Sequence, residues 1–193
     1  MNIQNEKRSR SERFGLALLT LAMWATRSHH FASFVHLPDA SWAAFFIAGL
    51  MSSRVRSALW LIVNAGIIDY IALRGGVSSY CVTPAYVFLV PTYLMLWASG
   101  RWASLSFAWT WQSIGKTSLA LAIGVIGAFI ISNASFYALG GYFEHMPALQ
   151  FANAVIVYLP RFFASTALYT AGAGASVYGW TMARFLARTR VSN

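Results

Sequence analysis

Acidic residues are scarce in this chain: five Asp and Glu among 193 residues, against fourteen Lys and Arg. Charged residues of both signs make up only 10% of it. A soluble domain carries roughly 25%. A surface that poor in charge is badly hydrated, which excludes an ordinary soluble domain and leaves lipid as solvent for the 58% that is hydrophobic. The single cysteine, Cys81, excludes an internal disulfide and any metal site built from cysteines alone. The full phosphate-binding Gly-loop pattern is absent, so the chain has no nucleotide site of that kind and cannot hydrolyse ATP through one. Repeats and low-complexity tracts are missing too. The net charge of +9 would suggest nucleic acid in a soluble protein. Here the cations sit in short clusters between apolar segments, and membrane topology explains them without a nucleic-acid partner.

What remains is a row of six apolar segments, each bounded by charge, Gly or Pro. The pattern predicts helices at about 14–34, 40–53, 57–73, 85–99, 116–139 and within 151–188. The expected fold is an all-α integral membrane protein of six transmembrane helices. Residues 1–13 form a basic N-terminal segment, 14–188 the transmembrane domain and 189–193 a tail. The run after the basic segment lacks a convincing cleavage site, so it reads as a retained helix rather than a removed signal peptide. A bilayer core needs about 20 helical residues. The second and fourth segments fall short and need help from neighbours, and Pro91 is expected to interrupt the fourth. The sixth is too long for one pass, and Pro160 is the expected break, which puts Arg161 near a membrane face.

With the N-terminus inside, Lys7, Arg8, Arg10, Arg13, Arg54, Arg56, Arg101, Lys116, Arg184, Arg188 and Arg190 fall on the inner side. Only Arg27, Arg74 and Arg161 fall outside. That asymmetry predicts both termini in the cytoplasm, and a multi-pass protein of the inner membrane. Small residues recur every four positions at Ala120, Gly124, Ala128 and Ser132, at Ala171, Ala175 and Gly179, and at Ala40, Ala44 and Ala48. These stripes predict close helix packing inside the bundle, with docking of a second protein as the alternative. The aromatic-rich stretch 102–111, with residues 112–116 after it, reads as an interfacial belt.

The same orientation gathers the reactive side chains on the outer face. His29, His30, His36, Asp39, Arg74, Cys81, Glu144 and His145 all fall there, and Asp69 lies about one turn from the outer end of its helix. A carboxylate within a membrane segment costs several kcal/mol unless paired or wetted. Asp69 therefore either lines a cavity or forms a structural pair, with Arg161 or Arg74 as the expected cation. Adjacent histidines point about 100° apart on a helix, so one of His29 and His30 faces any given cavity. Cys81 is either an inert buried thiol or, beside Arg74 and a helix start, an activated soft ligand.

Two stretches carry a family likeness: Trp-Ala-Thr-Arg-Ser-His-His-Phe at 24–31 and Ser-Ser-Tyr-Cys-Val-Thr-Pro-Ala-Tyr at 78–86. In a chain of six short helices they resemble the BtuM-type cobalamin transporters, solitary substrate-binding (S) components of the energy-coupling factor class. The resemblance implies an S-component bundle with a vitamin B12 site open to the periplasm. It implies that Cys81 ligates the corrin cobalt, and that His29, Asp69 and Tyr86 match the polar positions around the ring. Tyr80 beside the cysteine and Arg161 on the same face complete the candidate contacts. It also implies removal of the upper cyanide of cyanocobalamin, since thiolate donation to Co(III) weakens the trans Co–C bond. Cobalamin is thus the expected substrate and the bilayer the expected solvent. An ATP-driven partner module is a further possibility, but the usual Ala-x-x-x-Ala docking pair is missing from helix 1, which offers Gly15, Ala17, Ala22 and Ala25. The alternative reading is a membrane-embedded thiol enzyme that processes a corrinoid without moving it.

Overall fold

A computed structural model describes residues 3–27, 38–76, 78–105 and 110–191. Among them are seven α-helices and two 3-10 turns, with no strand. Helix α1 (Ile3–Arg27) starts well before the first apolar residue expected to begin it. Gln, Glu, Lys and Arg are good helix formers, and Glu6 sits in the first turn, where the helix dipole favours an acid. The basic segment is therefore the first turns of α1 and not a separate tail.

Helix α2 (Ser41–Met51) is short and its residues from Ser41 to Gly49 are all buried. A helix that is apolar all round belongs inside a bundle. Helices α1, α3 (Val55–Arg74), α4 (Leu89–Ser104), α5 (Trp111–Leu139) and α7 (Leu159–Val191) surround it. The tightest packing is against α4. A Cβ on Gly49 would collide with the backbone carbonyl of Trp97, and one on Gly100 with that of Phe46. The two backbones touch through these glycines, a contact only residues without a Cβ allow. Phe45 and Tyr93 stack beside the crossing with ring centroids 4.2 Å apart.

Pro91 does not interrupt α4. It is the third residue, in the first turn, where a missing N–H costs no hydrogen bond. A 3-10 turn (Pro84–Phe88) leads into it, opened by Thr83, whose side chain accepts a hydrogen bond from the Ala85 N–H. Helix α5 starts earlier than expected because Thr110 caps it, accepting from the Ser113 N–H. Its stripe of Ala120, Gly124 and Ala128 is buried, with Gly124 against Ser99 of α4. Trp111 is 88% exposed, and Lys116 lies over the Trp102 ring.

The sixth apolar segment is two helices, α6 (Ala148–Ile156) and α7, bent by 41°. The break falls at Val157 and Tyr158, because Pro160 is tolerated as the second residue of α7. The stripe of Ala171, Ala175 and Gly179 is a correction to the expected packing. All three are exposed, and a Cβ on Gly179 would meet nothing within 4 Å. These small residues line no helix contact within the described residues.

Helices α3 and α5 are long and apolar enough to cross a membrane, and the bent α6–α7 pair makes a third if counted as one span. Leu59, Val63 and Ile67 on α3, and Ile123, Ile126 and Ile130 on α5, stand exposed in rows. Water would not tolerate such continuous apolar faces, whereas lipid would.

Candidate functional site

The last residue of α1 organises one end of the bundle. Arg27 donates from Nε to Asp69 Oδ1 at 2.6 Å and from Nη2 to Asp69 Oδ2 at 2.7 Å. This two-point fork is the strongest geometry an arginine and a carboxylate can adopt. Its third nitrogen, Nη1, reaches Ser41 Oγ at 3.0 Å and Asp39 Oδ2 at 3.5 Å. The buried ring of Tyr93 lies 5.8 Å from the guanidinium carbon. The Arg27 side chain is only 12% exposed, so water contributes little to its stabilisation.

Each partner comes from a different element. Asp69 stands on α3, five residues before its end, and also accepts from the Tyr86 hydroxyl at 2.7 Å. Asp39 precedes α2, where its Oδ1 accepts from the Ser41 N–H at 2.9 Å and the Ser41 hydroxyl at 2.6 Å. Thr26 ties the same stretch to α1, accepting from the Ala40 N–H, and Tyr169 of α7 donates to the Pro38 carbonyl. Three segments besides α1 thus meet at Arg27: α3 through Asp69, residues 39–41, and α4 through Tyr93.

Asp69 is therefore paired, but with Arg27, not with Arg161 or Arg74. Arg161 is exposed near the start of α7, and Arg74 lies 5.2 Å over the Tyr70 ring. Three hydrogen bonds occupy most of the roughly four acceptor positions of the Asp69 carboxylate. Asp69 thus acts mainly through its neighbours: it neutralises Arg27 and aims the Tyr86 phenol, whose oxygen still has lone pairs to accept from a donor. Asp39 is the more open carboxylate, with its side chain 46% exposed.

The loop that carries Tyr86 also carries Cys81, in a 3-10 turn (Ser79–Cys81) opened by Ser78 accepting from the Tyr80 N–H. The Cys81 side chain lies outside the described atoms, and His29, His30 and His36 lie outside the described residues. The turn leans on the α5–α6 connection. Tyr80 stacks on Tyr142 at 4.4 Å, and the Tyr142 hydroxyl donates to the Tyr80 carbonyl. Phe136, Phe143, Tyr137 and Phe151 extend this aromatic group. Beside it Glu144, His145 and Gln150 line an open hollow of about 520 Å³.

Among the described residues, no three of His, Cys, Asp and Glu converge as a free metal ion would require. The structure thus joins Asp69 and Tyr86 directly, sets Tyr80 in the adjoining aromatic group, and leaves Arg161 apart. Sequence reasoning missed Arg27 and Tyr93. Arg27 lies inside the 24–31 motif and was legible there, since an acid in an apolar helix demands a cation of comparable depth. No known family model matches the chain, and no curated protein aligns with it.

Proposed function

We propose that this chain takes up cobalamin across the cytoplasmic membrane, binding it from the periplasmic side with Cys81 as the cobalt ligand. In this reading α1 to α5 and the bent α6–α7 pair make six spans, and both termini are cytoplasmic. What supports it is one arrangement: a single loop carries Cys81 and, five residues on, Tyr86 fixed by Asp69, at the end where Arg27 and the Tyr80–Tyr142 stack also lie. A ring fringed with amides needs aromatic faces, acceptors such as Tyr86 and Asp39, and a soft donor for the metal. As a ligand to the substrate's Co(III), the Cys81 thiolate would weaken the hold on cyanide, which would leave as cyanide ion when an external reductant such as a cellular thiol supplies electrons to the cobalt.

The test is the visible spectrum of protein purified from cells given cobalamin. Wild type should carry a shifted corrin spectrum. Cys81→Ser should retain bound corrinoid but lose both the shift and any loss of cyanide. An unchanged spectrum in the serine variant would make the thiol a bystander. Uptake by a B12-requiring strain separates transport from corrinoid processing in place.

A further inference from the structure

At the end of the bundle opposite Arg27, a cleft of about 300 Å³ opens between the first half of α1 and the turn joining α2 to α3. Its rim carries Arg13, Arg54 and Arg56, with Glu12 as the one acid in the lining. Its floor is apolar, with Leu16, Met51 and Trp60 among the lining residues. Helix α3 begins here at Val55 without a side-chain cap, so its positive end also faces this region. Trp60 is held by its indole N–H donating to Thr20 Oγ1 at 3.0 Å. Beyond Trp60 the exposed side chains of Val63 and Ile67 continue an apolar track along α3.

We propose that this cleft binds an anionic phospholipid, its phosphate on the three arginines and an acyl chain over Trp60 and along α3. The volume suits a headgroup and is too small for a folded partner. Cations at a membrane surface attract anionic lipid, and an apolar floor continuous with a lipid-facing helix adds selectivity for an amphiphile over a free anion. At the other end, the acids Asp39 and Asp69 surround Arg27 and leave no comparable excess of positive charge. The proposal rests on membrane embedding alone and stands or falls independently of cobalamin.

The experiment uses the full chain in neutral detergent, titrated with phosphatidylglycerol, phosphatidylcholine or inorganic phosphate. Thermal midpoint and lipid adducts in native mass spectra are the two readouts. Phosphatidylglycerol should raise the midpoint and remain bound, while the other two do neither. Arg54→Gln with Arg56→Gln should weaken phosphatidylglycerol binding by about fivefold for each arginine lost. Arg13→Gln alone should show the single step, which keeps the test usable if the double variant folds poorly. Arg101→Gln, outside the cleft and bonded to Ser104, should keep full binding. Equal binding of phosphatidylcholine, an equal shift with inorganic phosphate, or undiminished binding in both cleft variants would overturn the proposal.

Discussion

Helix α2 is held at two places by opposite means. Along its length, at Gly49 and Gly100, it meets α4 backbone to backbone with no charge involved. At its start, Asp39 and Ser41 join a charged knot around Arg27 and Asp69. The first contact depends on the absence of atoms, and the second on a balance of charge. A packed crossing fails when volume is added, whereas a buried ion pair fails when one partner is neutralised. Lipid sharpens the contrast, since it removes the hydrophobic gain between helices and leaves shape and polarity to decide.

The most damaging single change should be Asp69→Asn, which leaves Arg27 only its longer contact to the half-exposed Asp39, at a cost of up to roughly 3–5 kcal/mol. Thermal unfolding in detergent measures it. Replacing Arg27 and Asp69 together by leucine should recover much of the loss, because removing both charges also removes their desolvation penalty. A well-folded Asp69→Asn protein with full cobalamin affinity would end both the structural and the ligand-facing roles of this acid. Next comes Gly100→Ala, expected to cost about 1–3 kcal/mol, since its methyl group meets the Phe46 carbonyl and the backbones must part. Should Gly100→Ala prove neutral, the crossing is looser than described and the contrast collapses. Tyr86→Phe should cost about 1–2 kcal/mol for a lost bond to a charged acceptor, while Arg27 still holds Asp69. The same variant should weaken cobalamin binding more than it lowers the thermal midpoint. Smallest, and opposite in sign, is Gly174→Ala on α7. An added Cβ there meets nothing within 4 Å, so the change should raise stability slightly, by up to about 1 kcal/mol, read as a small rise in the thermal midpoint. Gly100 and Gly174 thus set a buried glycine against an idle one.

Hydropathy made most helices legible, because burial and lipid both select apolar runs. Their ends were less so. The early starts of α1 and α5 depend on helix-forming polar residues and on the Thr110 cap, neither of which alters hydropathy. Pro91 misled because its effect depends on its place in the helix, and that place was set by the preceding turn. The stripe on α7 misled for a different reason: small residues at spacings of four look alike whether a helix packs on them or not. Around the site, Asp69 was legible as an acid in an apolar helix, whereas Tyr86 entered only through the family resemblance of residues 78–86. The acid on α3 called for a cation of similar depth, yet Arg27 was counted only as a boundary charge, because it lies 42 positions away in sequence from Asp69.

The brevity of α2 has a consequence for how the protein is made. Eleven residues rise roughly 16 Å, about half of a bilayer core. Such a segment has no durable residence in lipid alone, since its ends would leave backbone groups unsolvated. Only Ser52, Ser53 and Arg54 separate it from α3, one of the helices apolar enough to cross a membrane. So short a connection would let the two enter the membrane together, with α3 as the apolar span and α2 carried beside it. The slot between α1 and α4 that α2 fills is not complete until α4 has been synthesised. Assembly of this protein is in that sense retroactive, with a helix made early reaching its final place only when a later one arrives to enclose it.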